Sequence, residues 1–159
     1  MSKFDKFLTS VLDRAGREAR ADGSSTVEAH HLLLAVAASD EPSTRELLAS
    51  VGLDEAAIRA VLDREFAHSL GAAGVSVEGT DMPRPTHTRD EPPPLGSSVK
   101  LAMERGVGSV SRKQNLQPAH LLMGIMQAAL GTVPRALALA GIDRAALVQR
   151  IGQSLGGGR

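Results

Sequence analysis

The chain has 159 residues, enough for one domain or for two small halves sharing a core. Lys plus Arg equals Asp plus Glu, 18 against 18, which argues against non-specific nucleic-acid binding, since that rests on neutralising phosphates. The absence of cysteine excludes disulfides, thiolate metal sites and a cysteine nucleophile.

Hydrophobic residues make up 42% of the chain, yet only three Phe and no Trp or Tyr are present. A core built from Leu, Val, Ile, Ala and Met favours helix over strand, so an all-α protein is expected. The opening "MSKFDKFLTS" is charged and lacks the apolar centre of a signal peptide. No run reaches the ~18 apolar residues of a membrane span. These features lead to the expectation of a cytoplasmic protein that contacts neither membrane nor nucleic acid.

In chain order, the first predicted helix covers roughly 3–21, with Phe4, Phe7, Leu8, Val11, Leu12, Ala15 and Ala19 at helical spacing. One of the two Phe is expected in the core; the other is left open as a surface anchor. Gly23, Ser24 and Ser25 end that helix. A second helix spans about 28–39, with Ser25 and Glu28 at capping-box spacing. A third, about 42–50, begins at Pro42 and stops at Gly52, and a fourth starts at the N-cap Asp54. Residues 71–95 are rich in Gly, Pro, Thr and charge and read as a mobile linker. Four more helices follow at roughly 96–107, 118–130, 133–140 and 143–155.

The second set repeats the first. Residues 26–62 align with 115–151 without a gap at an offset of 89, and nine of the 37 pairs are identical, His31/His120, Leu32/Leu121, Leu33/Leu122 and Gly52/Gly141 among them. Apolar positions kept in step over that register indicate a duplicated fold unit. The expected architecture is one domain, 1–159, made of repeat one (1–70), the linker (71–95) and repeat two (96–155). Eight helices form two four-helix repeats closed about a pseudo-two-fold axis, and a monomer is the default state.

Candidate chemistry is sparse. His30 and His31 are neighbours, so on a helix they point about 100° apart and cannot easily share a metal. His31 and His120 each precede two leucines on an apolar face, the pattern of a structural histidine near a helix start, and His31, Leu32, Leu33, His120, Leu121 and Leu122 are assigned a structural role. A hydrolase using His31 or His120 is the competing enzymatic reading. No phosphate-binding glycine loop or GxSxG elbow is present, so no catalytic residue, metal or cofactor is assigned.

The stretch from "FDKFLTSVLDRAGREARADG" through "VEAHHLLLAV" to "LLASVGLDEAAIRAVL" resembles the N-terminal domain repeat of the ClpA/ClpB/ClpC-type unfoldases. Val11-Leu12, Ala15, Ala19, His31-Leu32-Leu33, Leu48 and Gly52-Leu53 fit one copy of the pattern; Leu101, Pro118, His120-Leu121-Leu122, Leu137 and Gly141-Ile142 fit the other. In both copies 19 residues separate the matched Leu from the His. The resemblance implies a helical domain without chemistry of its own that binds substrates, adaptors, or Clp ATPase or peptidase components, here as a free-standing domain without ATPase modules. The family's ClpC branch carries Glu before the motif His, where it contributes to binding phosphorylated arginine; His30 and Ala119 stand there in this chain and supply no anionic acceptor. The contact surface is expected between the repeats near Phe4, Asp5 and His30. A peptide-like small molecule is the alternative ligand.

Overall fold

Eight α-helices account for most of the 1–74 and 91–156 segments, the residues described by the computed structural model. Helix α1 (Lys3–Ala21) is opened by a reciprocal cap: Ser2 Oγ accepts from the Asp5 N–H at 3.1 Å, and Asp5 Oδ2 accepts from the Ser2 N–H at 3.2 Å. It buries Phe4, Phe7, Val11, Ala15 and Ala19 along one stripe, so both phenylalanines are core residues. The chain then turns at Gly23, whose φ of 77° suits glycine. Helices α2 (Ala29–Ala38), α3 (Pro42–Ala49) and α4 (Glu55–Ala72) complete repeat one. Asp54 caps α4 by accepting from the Ala57 N–H at 2.7 Å.

Repeat two consists of α5 (Ser97–Gly106), a single 3₁₀ turn at Lys113–Asn115, α6 (Pro118–Met126), α7 (Thr132–Leu139) and α8 (Arg144–Gly156). Asp143 accepts from the Ala146 N–H at 3.1 Å, matching Asp54. Helix α6 is shorter than the 118–130 expected from sequence. The Arg144 guanidinium donates to the Met126 carbonyl at 2.6 Å at the end of the helix, and Gln127–Leu130 follow as a loop. Most of the expected linker, 75–90, lies outside the described residues. Its two ends are described: Gly71 and Ala72 finish α4, and Leu95 forms an isolated parallel bridge with Val27.

Helices α2 and α6 lie at the centre and are buried along nearly their whole length. Helix α1 packs on α2, and α5 packs on α6. The fourth helix of each repeat crosses to the third helix of the other, α4 to α7 and α8 to α3, so the two repeats are related by a pseudo-two-fold axis. Leu32, Leu33, Leu121, Leu122, Ile125, Ile58, Leu147 and Ile151 form one continuous core. Truncating any of these leucines to Ala is expected to cost about 2–5 kcal/mol. The buried Glu65 of α4 accepts from Arg135 Nε of α7 at 3.0 Å, and Arg150 of α8 donates to the Ser50 carbonyl at 3.3 Å, so polar ties cross between repeats as well. No helix among the described residues is long and apolar enough to cross a membrane.

Candidate functional site

The paired histidines start the central helices. His31 Nδ1 accepts the Glu28 N–H at 2.9 Å, and His120 Nδ1 accepts the Gln117 N–H at 3.0 Å. Each ring does the work that a Glu does in an ordinary capping box, three residues into the helix. The cap of α2 therefore centres on Glu28 and His31, three residues later than the Ser25–Glu28 pairing suggested by sequence. Because Nδ1 accepts, the His31 proton sits on Nε2, which donates to Asp22 Oδ2 at 2.6 Å. Burial opposes ionisation of Asp22, but hydrogen bonds from His31 and Ser24 outweigh it and hold that carboxyl below its ordinary range.

This geometry bears on the two chemical readings of the cluster. Ser24 Oγ approaches His31 at the same Nε2 that Asp22 holds, at 3.5 Å, whereas a nucleophile and an orienting acid need opposite ring nitrogens. His31 is also only 1% exposed. Asp22, His30 and His31 bring potential ligand atoms within 4.8 Å of one another. A metal at His31 would have to displace the Nε2 proton while Nδ1 is engaged with the backbone, so these residues do not fit a cation.

Asp5 and Phe4 lie at the other end of α1 from this cluster. Phe4 is buried against Phe7, ring centroids 6.2 Å apart, and Asp5 is engaged by Ser2 and by Lys113 Nζ at 3.5 Å. The hydrogen bonds from Ser2 hold its carboxyl below the usual range. Of the three expected contact residues, His30 alone opens onto a well-formed groove.

That groove, about 470 Å³, lies where the start of α2 meets α5, the α6–α7 loop and α7. Its floor is aliphatic: Ala102, Ile125, Ala128, Val133 and Pro134. Two leucines stand on its rim, Leu101 at 44% and Leu130 at 89% exposure. Glu28 is held at the joint with α5, accepting from Ser98 Oγ and from Thr26 Oγ1 at 2.7 Å, while Ser98 Oγ accepts the Ala29 N–H at 2.7 Å. Burial opposes its ionisation, and these donors overcome that and hold its carboxyl low. Beside it, burial pushes His30 down to about 4. Arg135 is tied to Glu65, and Arg105 has no ion-pair or hydrogen-bond partner among the described residues.

Sequence reasoning missed Arg105, Leu130 and Arg135. Leu130 was placed inside a helix, where a leucine reads as core, and the Gly131 that follows it was the available sign of a loop. Leu101 was legible only as a motif position.

The described residues form a closed, all-helical double repeat in which His31 and His120 cap the two central helices and an apolar groove opens beside the first of them. The family model of the Clp repeat N-terminal domain matches residues 3–88, and the chain belongs to that family, whose domains are protein-interaction modules of the Clp chaperones. Among solved structures, the N-terminal domain of the caseinolytic protease-associated chaperone ClpD from Arabidopsis thaliana has a similar fold, with a TM-score of 0.62 at 20% identity over 92% of this chain and 90% of that one. No curated protein matches the sequence.

Proposed function

We propose that the protein is a non-enzymatic binding module of the Clp proteolysis system, acting as an adaptor, decoy or modulator. It acts by occupancy: it holds a client, or it covers a surface of a Clp ATPase or peptidase. The observation that carries this reading is the groove between α2, α5 and the α6–α7 loop, where an aliphatic floor is flanked by two leucines left in solvent. Exposed apolar residues clustered at a concavity mark interaction sites far better than leucines scattered singly.

The test uses the purified chain, immobilised, against purified Clp ATPase and Clp peptidase, with a variant carrying Leu101→Asp and Leu130→Asp. Both positions are solvent-exposed, so the variant is expected to fold. Retention of one Clp component by the wild type and its loss in the variant are the expected results. Equal retention by both proteins, or by neither, would count against the groove as the docking site. A peptide-like small ligand is the second reading, favoured by a groove volume inside the roughly 300–1,000 Å³ range of ligand sites. It predicts a raised melting temperature on ligand addition, abolished by the same two substitutions.

A further inference from the structure

We propose that the groove receives an extended peptide segment in which a leucine or phenylalanine is flanked by Asp or Glu, the apolar side chain lying on the aliphatic floor and the carboxylate meeting Arg105. The proposal rests on the reading of the protein as a binding module and specifies the chemistry of what it binds.

The charges around the groove select this occupant. Four ionisable side chains line it: Glu28, His30, Arg105 and Arg135. The Glu28 carboxylate is turned to Ser98 and Thr26, and Arg135 is neutralised by the buried Glu65. The His30 ring, faced by Asp22, Glu28, Glu65 and His31, carries no charge at neutral pH. Of the two arginines that line the groove, Arg105 is the one without a counter-charge among the described residues, and it stands beside Leu101 and Ala102 on α5. A guanidinium is suited to a carboxylate because its fork matches the two oxygens. The first turn of α7 opens on the same rim, and its N-cap, Gly131, provides no side-chain acceptor. Glu28 keeps its negative charge at the α2 side of the groove, so the positive charge is local to the α5 side at Arg105, and an acidic–apolar segment that lays its carboxylate there complements that side where a basic one does not.

The other repeat shows that this arrangement does not come automatically with the fold. At the offset of 89, Arg105 corresponds to Gly16, Leu130 to Glu41 and Gly131 to Pro42. Gly16 lies against Pro92, and Glu41 turns its carboxylate back to cap α3 through Ser43. Repeat one thus fills with chain and self-capping the place where repeat two keeps aliphatic floor and a spare cation.

The test is fluorescence anisotropy with the full chain and labelled decapeptides, acetylated and amidated, carrying a central Asp-Leu-Glu between Gly/Ser flanks. Companion peptides exchange both acids for Lys, exchange Leu for Ala, or carry Leu as a free C-terminal acid. The acidic–apolar peptide is expected to bind, and either exchange to weaken it about fivefold or more, near 1 kcal/mol. Arg105→Glu is expected to invert the preference towards the Lys peptide; Arg17→Glu, the same charge change on an exposed face of α1, is expected to leave it unchanged. Amide shifts on binding should centre on Ala128–Val133. Equal binding of acidic and basic peptides, an unchanged preference in Arg105→Glu, or shifts centred on Asp5 and Lys113 would overturn the proposal while leaving a binding module intact. Stronger binding of the free-acid leucine peptide would overturn it in favour of C-terminal capture. Binding of no peptide, together with no retention of Clp components, would remove the underlying reading as well.

Discussion

Repeat one and repeat two share a blueprint but are packed differently. In repeat one, α1 runs 19 residues and meets α2 through Ala15, Ala19 and Ala35, all buried. In repeat two, α5 runs only 10 residues, because Pro92, Pro93 and Pro94 occupy the stretch matching the start of α1 and exclude helix. Its backbone packs directly on that of α6. Gly106 and Gly124 meet with no side chain between them; a Cβ on Gly124 would run into the Ala102 carbonyl, and one on Gly106 into the His120 carbonyl. The helix pair of repeat two is thus closed on glycines, whereas repeat one carries Ala35 at the position of Gly124.

The largest expected effect breaks that difference. Gly124→Ala forces a methyl against backbone rather than against a flexible side chain, so helix α5 must move. Its destabilisation is expected at about 3 kcal/mol, the upper part of the range for overpacking. Its mirror change, Ala35→Gly, opens space and weakens the helix, at about 1 kcal/mol. Urea unfolding of both variants measures the contrast. Similar midpoints would show that the two helix pairs are packed alike after all.

The histidines give a smaller contrast of the same kind. His31 and His120 make the same backbone bond, but only His31 is buried on a carboxylate, since the position matching Asp22 is Ser111. His31→Ala removes the cap and the ring that donates to the partly exposed Asp22, at about 2 kcal/mol, the upper end of the range for a lost helix cap. His120→Ala removes a cap acceptor from a half-buried site, at about 1 kcal/mol. Equal losses, again read from urea midpoints, would mean that Asp22 contributes nothing to the joint.

The fold was legible because its determinants are local and repeated. Gly52 with Asp54 and Gly141 with Asp143 mark the same stop and cap twice, and the leucines after each histidine fall at core spacing. The family match covers 3–88, and thus repeat one; the diverged repeat two emerges from internal alignment and from the three-dimensional likeness. The groove was less legible, because its residues come from segments distant in sequence and depend on where a helix stops. Only Gly131 hints in the sequence that α6 stops at Met126, whose carbonyl is met by Arg144, 18 residues on, and that Leu130 lies in solvent. Likewise Phe4 and Asp5 read as surface candidates from the family pattern, whereas Phe4 is buried against Phe7 and Asp5, at the exposed start of α1, is engaged in the Ser2 cap. Arg105 shows up as spare only once every other cation near the groove has been paired.

His30 sharpens the comparison last, since Ala119 holds its place in repeat two. Burial and the neighbouring His31 lower its folded-state value from 6.5 to about 4, against the opposing pull of Asp22, Glu28 and Glu65. In the unfolded chain the ring takes a proton as pH falls below 6.5; in the folded chain it stays neutral until about 4. Between those values the unfolded state holds more protons, so stability is lost as pH falls, at up to ~1.4 kcal/mol per pH unit. Above 6.5 the contribution is fully present. Asp22, Glu28 and Glu65, all held below their ordinary range, act in the same direction but only as pH drops through the carboxylate region near 4. His120, also lowered by burial, adds a share that the substitution leaves in place. Urea midpoints at pH 7, 6 and 5 should therefore fall less steeply for His30→Ala than for the wild type, whatever the absolute stability of the variant. Parallel curves would place the His30 ring in water rather than in the wall of the groove.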